Sequence, residues 1–494
     1  MSLAEHPATP EEVISAINNY HWQQLHGSEL REGRGEAAPI INPSTKDVLT
    51  TIAWATRDDV TAVVNEASDA AAAWAARGPY ARAAIVRELA DALEKRAEDF
   101  AWLDTIDAGL PLWMMRIDIV TGIARMRMFA DMAHALTGQS LPGSPQGLHV
   151  TTPEPFGVVA RIIPFNHPFM FAASKIAAPL VAGNTVVLKP SELTPLSALL
   201  LGEVAAEVLP SGVLSVVHGG PDVGDQLVRD KRVHRIAFTG SHGVGRSIQQ
   251  AGAEVGVKSV SLELGGKNAL IAYDDADIDG LIASAVKGMN FAFAGQSCGS
   301  TSRLLVQRSI FTEVRDRVAE AVARVRQGLP WEEGVQIGPM ISQRQQERAL
   351  GFIERAREAG AELLVGGSHP TELSSGWYVE PTVLTGMTPD AEIAQEEVFG
   401  PVLSIMPFDS EEEAITIANS VDYGLTGSVW TQDIDRAFRT ARALEAGYVW
   451  INDTSTHFPG VPFGGVKLSG IGREESLEEL LSYTQTRAIN VVLR

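Results

Sequence analysis

The amino-acid sequence predicts an α/β protein in which helices cover the faces of parallel β-sheets. Short runs rich in β-branched residues alternate with helical segments from residue 157 onward, and this alternation is typical of a parallel sheet. A second series of the same kind begins after Glu263. The length of 494 residues is enough for about two to four domains with ample core.

The first part of the chain is predicted to be helical. Apolar residues recur at three- and four-residue spacing over residues 60–74, 80–107 and 112–136. The segment that follows, residues 138–155, is rich in Gly, Pro, Ser and Thr. We therefore expect an extended excursion there, such as a hairpin.

Strand-like runs lie on both sides of Glu263, and residues 195–208 form a helical segment between two of them. The C-terminal residues 487–493 alternate like an edge strand, which can pair within its own chain or complete a neighbouring subunit's sheet. The other predicted strands are residues 158–163, 185–188, 213–217, 235–238, 257–262, 304–306, 403–406 and 448–451.

Composition excludes several classes of protein. The chain has 40 Lys plus Arg against 61 Asp plus Glu, a formal net charge of -21, which argues against a nucleic-acid partner. The first six residues lack the basic and apolar regions of a signal peptide, and the longest apolar stretch, residues 176–188, is interrupted by proline and glycine. A single cysteine fits a reducing compartment. We expect a cytoplasmic protein without a membrane partner.

The single cysteine is Cys298, which lies between Ser297 and Gly299. A lone thiol cannot form an intramolecular disulfide or half of a Cys-x-x-Cys metal or redox pair. Free cysteines are mostly buried, so an inert thiol is the ordinary interpretation of its position alone. The motifs around it in the chain favour a catalytic thiol.

Two strand-to-helix connections suit a nucleotide. The segment 238–245 follows a strand and opens a helix, whose free N-terminal amides attract phosphate. Lys189 and Glu192 follow another strand, at the edge where open α/β sheets bind ligands. A carboxylate there accepts hydrogen bonds from an adenosine ribose and repels the 2′-phosphate of NADP, which favours NAD. An ordinary turn and a surface salt bridge are the alternatives.

Glu263 and Asn166 each follow a strand-like run. A glutamate in that position is expected to be partly desolvated, which raises its pKa toward the range of a general base. The side-chain amide of Asn166 can donate a hydrogen bond to a developing oxyanion. Taken singly, Glu263 fits a salt bridge equally well, and Asn166 fits a turn cap.

Seven motifs occur together between residues 160 and 474, in an order and at a spacing that strongly resemble the NAD(P)-dependent aldehyde dehydrogenase superfamily. They are Pro164-Phe-Asn166, Lys189-Pro-Ser-Glu192, Phe238-Thr-Gly-Ser-x-x-x-Gly245, Glu263-Leu-Gly-Gly-Lys267, Gly295-Gln-Ser-Cys298, Glu397-Val-Phe-Gly-Pro401 and Pro462-Phe-Gly-Gly-x-Lys-x-Ser-Gly470. The sequence departs from the family at Phe165, where tryptophan is usual, and at Ser297 and Gly299, where bulkier residues are often seen. His167 and His457 match tunnel positions that are frequently aromatic.

The resemblance implies an aldehyde dehydrogenase-like α/β fold with two Rossmann-type parallel-sheet domains and a small β oligomerisation element. It assigns residues 1–131 and 154–262 to a dinucleotide-binding domain and residues 263–470 to a catalytic domain. Residues 132–153 and 476–494 would form the oligomerisation element. A homodimer or homotetramer is implied, and no metal.

The resemblance also implies catalytic roles. Cys298 would be the nucleophile and Glu263 the general base. Asn166 and the backbone amide of Cys298 would form the oxyanion hole. Lys175 and Glu474 match positions that conduct protons from the base in many members of the family.

The cofactor implied by the resemblance is NAD, with NADP possible. Lys189 and Glu192 would hold the adenosine ribose, Ser241 the pyrophosphate, and Glu397 the nicotinamide ribose, while Phe399 would pack beside the nicotinamide. The other implied cofactor residues are Ile162, Pro164, Ser191, Gly224, Phe238, Gly240, Val244, Leu264 and Gly265.

The substrate would be a small-molecule aldehyde. We expect its tunnel to be largely apolar with two polar tips, His167 and His457, which favours an aromatic or medium-sized aldehyde with a hydroxyl or carboxylate. No arginine is clearly placed for a dicarboxylic semialdehyde. The remaining residues expected in or near the tunnel are Phe169, Met170, Phe171, Ser297 and Phe463.

The implied reaction oxidises the aldehyde to a carboxylic acid and passes hydride to NAD(P)+, through a thiohemiacetal and a thioester on Cys298. The nicotinamide cation and nearby helix amides are expected to favour the thiolate. The alternative enzyme is a CoA-acylating semialdehyde dehydrogenase, but such relatives generally lack a carboxylate at Glu263. A non-catalytic binding protein is disfavoured because Cys298, Glu263 and Asn166 occur together.

Overall fold

The structure is a computed structural model that describes residues 9–145 and 147–492. The expectations about the first six residues and about residue 493 lie outside this range. The α-helices are α1 (Pro10–Asn19), α2 (Arg57–Ala76), α3 (Pro79–Glu94), α4 (Ala97–Ala108), α5 (Leu112–Asp131), α6 (Pro168–Ala182), α7 (Leu196–Val208), α8 (Pro221–Arg229), α9 (His242–Val255), α10 (Ile278–Gly288), α11 (Phe311–Ala323), α12 (Gln343–Glu358), α13 (Glu392–Gln395), α14 (Glu411–Asn419), α15 (Ile434–Ala443) and α16 (Leu477–Ser482).

Strands of the described chain form two large sheets and three small ones. They are β1 (Gln24–His26), β2 (Glu29–Arg31), β3 (Ala37–Ile41), β4 (Val48–Ala53), β5 (Ser140–Ser144), β6 (Gly147–Pro155), β7 (Val158–Ile162), β8 (Thr185–Lys189), β9 (Leu214–Val216), β10 (Val233–Thr239), β11 (Ser259–Glu263), β12 (Ala269–Ala272), β13 (Arg303–Gln307), β14 (Glu362–Val365), β15 (Thr382–Thr385), β16 (Val402–Phe408), β17 (Tyr423–Gly424), β18 (Thr426–Trp430), β19 (Tyr448–Ile451), β20 (Val466–Lys467), β21 (Gly470–Ile471) and β22 (Thr484–Val492).

The first large sheet has the order β2-β1-β9-β8-β7-β10-β11-β21, and its five central strands are parallel. Among the five parallel strands, the chain runs first through β7 in the middle and then outward through β8 and β9. It then returns to β10 on the other side of β7. Such a reversal opens a crevice at the carboxyl ends of β7 and β10, which is where open α/β sheets bind ligands. Buried side chains of α6 and α7 cover one face, and those of α2, α8 and α9 cover the other.

The second large sheet has the order β14-β15-β16-β13-β12-β18-β19. All its neighbouring strands are parallel except β14 and β15. Its strands are almost entirely buried and rich in Val, Ile and Leu, as expected for a sheet covered on both faces. The two parallel series predicted from the sequence are therefore both present.

A three-stranded antiparallel sheet is formed by β5, β6 and the C-terminal strand β22. The predicted hairpin over residues 138–155 is thus confirmed. Of the two partners left open for the C-terminal strand, the structure shows pairing within its own chain, with Thr484 opposite Pro155 and Val492 opposite Gly147. The sheet is largely exposed.

Two of the predicted helices differ from those observed. Residues 80–107 form two helices, because α3 ends at Glu94 and α4 begins at Ala97. Periodicity missed the break because the apolar face continues across it, with Leu93 and Phe100 both fully buried. Residues 112–136 end as a short 3₁₀ helix after α5. Within the described residues, no helix is both long and apolar enough to cross a membrane.

Arg303 at the start of β13 holds the second sheet to the C-terminal end of α14. Its guanidinium donates to the carbonyl oxygens of Lys267 at 2.9 Å, Ile417 at 2.8 Å and Ala418 at 2.7 Å. The side chain is fully buried, and burial lowers the pKa of Arg303 to about 9. Three buried carbonyls therefore depend on one donor group.

We predict that Arg303→Met lowers the free energy of unfolding by about 3 kcal/mol or more, because three buried acceptors lose their donor. Urea unfolding followed by fluorescence measures the change. Arg308→Met is the matched control, because Arg308 directly follows β13 and forms an exposed pair with Asp409. This substitution should change the free energy of unfolding by less than about 1 kcal/mol. Equal effects of the two substitutions would contradict the structural role given to Arg303.

Candidate active site

Cys298 lies in a tight loop between a 3₁₀ helix, residues 291–293, and strand β13. Gly295 has a φ of +68°, and a Cβ there would lie 2.2 Å from the carbonyl oxygen of Gly400, so only glycine fits. Cys298 is partly exposed and packs beside Tyr448 and Phe463. The loop therefore places the thiol beside the second sheet.

Burial and neighbouring carboxylates disfavour the thiolate of Cys298. Burial raises the pKa of Cys298 to about 12, and the negative charges of Glu263, Glu397 and Glu474 add to the rise. No helix of the described residues begins at Cys298, and stabilisation of the thiolate by nearby helix amides and the nicotinamide cation stays a prediction. Residue spacing could not predict the raised pKa of Cys298, because the carboxylates that surround the thiol come from distant parts of the chain.

Asn166 lies in the connection between β7 and α6, and its side chain is buried. Its Nδ2 atom donates to the carbonyl oxygen of Gln296 at 2.9 Å, two residues before Cys298. A side-chain amide has two donor hydrogens, so one remains for another acceptor. Its Oδ1 atom is buried and has no hydrogen-bond partner within the described chain. The bond to Gln296 joins the amide to the loop of the thiol.

Glu263 ends strand β11 and is buried, with both carboxylate oxygens lacking a hydrogen-bond partner among the described residues. A Cβ on Gly464 would lie 2.6 Å from its Oε1 atom, so the close approach requires glycine there. Burial raises the pKa of Glu263 well above its ordinary value, and the negative charge of Glu474 adds to the rise. Among the described residues, no cation forms the salt bridge that was considered as an alternative for Glu263. Such a carboxyl can accept a proton when it is ionised.

Glu474 forms a buried ion cluster beneath Glu263. Its Oε1 atom accepts from Arg161 at 2.6 Å, and its Oε2 atom accepts from the ammonium of Lys175. Despite burial, these two cations lower the pKa of Glu474 to about 2. The cluster joins β7, α6 and the C-terminal segment, and Lys175 and Glu474 are brought together as the sequence predicted.

One cavity of about 710 Å³ contains most of the predicted catalytic and substrate residues. Phe169 is an exception, because it is fully buried in the core with its ring centroid 4.2 Å from that of Phe100. It follows His167 by two positions and lies on the opposite side of the first turn of α6. The predicted residues that line the cavity are Cys298, Glu263, Lys175, Glu474, His167, Met170, Phe171, Ser297, His457 and Phe463.

Among the cavity residues that were not found from the sequence are Asp118, Arg125 and Glu475. Asp118 and Arg125 lie on α5, which carries no motif and contains other charged residues, so nothing in the sequence distinguishes these two. Arg125 forms an ion pair with Glu475 at 2.9 Å. Glu475 directly follows Glu474, and its backbone φ of +64° turns its side chain to a different set of partners. The pKa of Glu475 falls to about 2, in spite of burial, because Arg125 and His457 stabilise its charge.

The predicted cofactor residues lie mainly along the carboxyl edge of the first sheet. At the end of β8, Lys189 has a buried side chain, and its Nζ lies 3.7 Å from the half-exposed Glu192. A Cβ on Gly224 would lie 3.6 Å from the Lys189 stem. The others at this edge are Ile162 and Pro164 after β7, Ser191 after β8, Phe238 and Gly240 at β10, Ser241 and Val244 at α9, and Leu264 and Gly265 after β11.

The N-terminus of α9 fits a phosphate group. Ser241 precedes the helix without capping it by a side-chain hydrogen bond, and both Ser241 and Val244 are exposed. A Cβ on Gly245 would lie 2.8 Å from Leu264, so glycine allows the helix to approach the strand end closely. The first helical amides are therefore free for an anion, as in dinucleotide-binding folds.

Glu397 and Phe399 complete this edge from the second sheet. Glu397 accepts from the backbone amide of Gly266 at 2.9 Å, and burial raises the pKa of its carboxyl to about 7. A Cβ on Gly265 would lie 2.1 Å from the Glu397 carboxylate. Phe399 has a φ of +56°, a strained conformation for a bulky residue, and its ring meets Phe165 edge-on at 5.9 Å. The residues present fit a dinucleotide.

Known proteins resemble this chain over nearly its whole length. A sequence model described as the aldehyde dehydrogenase family matches residues 30–489. The aldehyde dehydrogenase tropH of Talaromyces stipitatus is 42% identical over 492 residues, which cover 98% of this chain and 95% of that protein. A betaine aldehyde dehydrogenase of Cereibacter sphaeroides is 41% identical over 94% of this chain and 96% of that protein.

A solved structure has the same fold. Betaine aldehyde dehydrogenase of Staphylococcus aureus in complex with NAD+ superposes with a TM-score of 0.95 at 34% identity, over 98% of this chain and 97% of that chain. The fold class expected from the sequence is thereby confirmed.

We predict that Glu263→Gln speeds alkylation of the resting protein by iodoacetamide in the alkaline range. The substitution removes a negative charge that raises the pKa of Cys298. Each unit by which a thiol pKa falls increases the thiolate about tenfold, and lower nucleophilicity reduces the net gain to about threefold. Mass spectrometry measures the rate, and it reports on one site because the chain has one cysteine. Glu412→Gln, at an exposed position of α14, is the control and should leave the rate unchanged.

Proposed function

Because the chain belongs to the aldehyde dehydrogenase family and is an NAD(P)-dependent aldehyde dehydrogenase, we propose that it oxidises its aldehyde hydrolytically through a thiohemiacetal and a thioester on Cys298. The observation that carries this proposal is the arrangement around one cavity. It contains the only thiol of the chain together with a buried, unpaired carboxyl, Glu263. An amide donor, Asn166, is bonded to the loop of the thiol.

The cofactor would lie along the carboxyl edge of the first sheet. Lys189 and Glu192 would hold the adenosine ribose, the first amides of α9 the pyrophosphate, and Glu397 the nicotinamide ribose. When bound, NAD+ accepts the hydride that the thiohemiacetal carbon releases. The acidic Glu192 supports NAD over NADP, because a 2′-phosphate would meet its charge.

The chain's own residues would handle the carbonyl oxygen. When the sulfur of Cys298 adds to the aldehyde carbon, the carbonyl oxygen gains a negative charge. The free Nδ2 hydrogen of Asn166 and the backbone amide of Cys298 would donate hydrogen bonds to that charge. Donors held rigidly in a site without bulk water stabilise an oxyanion more than they stabilise a neutral carbonyl. The bond from Asn166 to Gln296 supplies the rigidity.

Glu263 would then act on water. Its carboxylate removes a proton from a water molecule, whose oxygen attacks the thioester carbon and releases the carboxylic acid and the Cys298 sulfur. The raised pKa of Glu263 makes it a stronger base than an exposed glutamate. Lys175 and Glu474, which lie in the same cavity, would pass the proton onward.

A carboxylate in this position supports water over coenzyme A as the acyl acceptor. In an enzyme whose acyl acceptor is the thiol of coenzyme A, Glu263 would have no water to deprotonate. We therefore propose the hydrolytic reaction in preference to the CoA-acylating one.

The domain organisation and assembly are also proposals. The first large sheet with its helices would form the dinucleotide-binding domain, residues 1–131 and 154–262, and the second sheet the catalytic domain, residues 263–470. The exposed three-stranded sheet would join subunits of a homodimer or homotetramer, because its strands leave Leu148 and Val492 exposed. A cytoplasmic location is supported by the single cysteine.

We propose an aromatic or medium-sized aldehyde as the substrate. The cavity is lined by aromatic and aliphatic side chains and has two histidines among them. A quaternary ammonium aldehyde is the second candidate, because several relatives are named betaine aldehyde dehydrogenases.

The proposed reaction predicts NADH formation from NAD+ and an aldehyde in the absence of coenzyme A. Absorbance of NADH is followed over aliphatic, aromatic, acidic and quaternary ammonium aldehydes, with and without coenzyme A. Cys298→Ala should reduce turnover to background, because no other thiol of the chain can replace it. Full turnover by this variant would disprove covalent catalysis, and a requirement for coenzyme A would disprove the hydrolytic route.

Asn166→Ala should lower kcat by about 10²–10³-fold, the usual loss when one oxyanion donor is removed. The protein should stay folded, which far-UV circular dichroism and NAD+ binding would show. Asn19→Ala, at the exposed end of α1, is the matched control with normal kcat. A kcat within about threefold of the unsubstituted enzyme would remove Asn166 from the oxyanion hole.

A further inference from the structure

Each of the two histidines in the cavity is bonded to a carboxylate of its own. The Nδ1 atom of His167 lies 2.6 Å from Asp118 Oδ2, and the Nδ1 atom of His457 lies 2.8 Å from Glu475 Oε2. An ionised carboxylate has no hydrogen to donate, so each Nδ1 must be the donor. In the neutral imidazole, this fixes Nε2 as the acceptor.

The two Nε2 atoms are available to a ligand. Within the described part of the chain, neither has a hydrogen-bond partner, and both histidines line the cavity that contains Cys298. Tilted aromatic contacts hold each ring in place. The His167 ring lies 4.1 Å from that of Phe293, and the His457 ring lies 4.6 Å from that of Phe463.

The cavity offers no unpaired cation to a carboxylate on the substrate. Among the described residues that line it, Arg125 is paired with Glu475, Lys175 with Glu474, and Lys287 with Asp453 at 3.1 Å. A substrate that carries a carboxylate besides its aldehyde would therefore have to break one of these pairs, which costs binding free energy.

A quaternary ammonium group finds no unpaired carboxylate of the described chain at the two polar points. The carboxylates that would attract it, those of Asp118 and Glu475, already accept from His167, His457 and Arg125. When both imidazoles are neutral, the group that each polar point offers to a ligand is an Nε2 acceptor. A neutral donor such as a hydroxyl satisfies these acceptors without displacing any protein contact.

Aromatic side chains form the walls between these points, which suits a flat ring. Seven of them line the cavity: Trp113, Phe171, Phe291, Phe293, Trp450, Phe458 and Phe463. Aromatic rings gain from edge-on and offset contacts with one another in addition to the area they bury. A ring with its aldehyde carbon at Cys298 would thus direct ring substituents toward the histidines.

We propose that His167 and His457, each oriented by its carboxylate, select hydroxyl-bearing aromatic aldehydes by accepting the substrate's hydroxyl hydrogen at Nε2. This inference rests on the proposed aldehyde oxidation and deepens it by naming the substrate class. Asp118 and Glu475 are positioning residues that act through the histidines. A site built to bond a hydroxyl discriminates strongly against analogues that lack it.

The test compares aldehydes that differ in one substituent. Values of kcat/KM are measured for 3- and 4-hydroxybenzaldehyde, for their methyl and methoxy counterparts, and for 4-carboxybenzaldehyde and betaine aldehyde. The hydroxyl compound should exceed its methyl and methoxy counterparts by about tenfold or more at one or both ring positions. Equal values, or a preference for the carboxylate or ammonium compound, would overturn the inference.

Variants assign the preference to the histidines. His167→Phe and His457→Phe keep an aromatic ring and remove Nε2, so the ratio of hydroxyl to methoxy compound should fall to near one at the position each histidine serves. The ratio is taken on one enzyme at a time, so general damage cancels. His21→Phe, which removes an exposed histidine paired with Glu32, is the control and should keep the ratio. An unchanged ratio in both cavity variants would overturn the assignment.

Asp118→Asn covers the case in which a histidine variant does not fold. An asparagine can either accept from Nδ1 or donate to it, so the tautomer of His167 is no longer fixed. The hydroxyl-to-methoxy ratio should fall although the His167 ring is still present. A residue with a merely structural role would lower all rates and leave this ratio unchanged, which would overturn the positioning role.

Binding of unreactive analogues separates this inference from the proposed reaction. Calorimetry compares 4-hydroxybenzamide and 3-hydroxybenzamide with their methoxy counterparts, none of which has an aldehyde. Preferential binding of the hydroxyl compounds without oxidation of any aldehyde would disprove the reaction and support the inference. Oxidation of aldehydes with no hydroxyl preference in either assay would support the reaction and disprove the inference.

Discussion

The buried pairing of Glu474 with Arg161 and Lys175 is the interaction on which the rest of the site depends. Arg161 comes from the middle of the first sheet, Lys175 from α6, and Glu474 from the C-terminal segment, so the cluster ties three distant parts of the chain. Removing one partner of such a buried pair costs about 3–5 kcal/mol, because the remaining charge stays desolvated. The cluster therefore fixes the positions of the charged groups next to Glu263.

The same cluster gives the site its electrostatic character. The charge of Glu474 adds to the desolvation that raises the pKa of Glu263, and both carboxyls raise the pKa of Cys298. A field that strengthens a general base also suppresses a thiolate. We propose that this conflict is resolved by the cofactor, whose cationic nicotinamide would lower the thiol pKa when it binds. The resting enzyme would then keep its cysteine as a less reactive thiol.

A second set of charged residues, separate from the Glu474 cluster, shapes the cavity. Arg125 and His457 hold Glu475, and His167 holds Asp118, so charges that would otherwise attract ions are satisfied within the protein. Because Glu474 and Glu475 are adjacent in the chain yet bond to different partners, one short segment serves both regions. The positive φ of Glu475 allows the two side chains to diverge.

The sequence by itself determined the α/β class, the two series of parallel strands and the hairpin, since alternation and turn residues are local properties. The order of its motifs also indicated the family and placed Cys298, Glu263 and Lys175 in one site. Only the tertiary structure decided which charges meet, because Arg161 and Glu474 are separated by 313 positions. It likewise decided that Phe169 enters the core and that burial and distant carboxylates raise the pKa of Cys298. Those outcomes depend on burial and on neighbours from other elements, which periodicity and spacing do not encode.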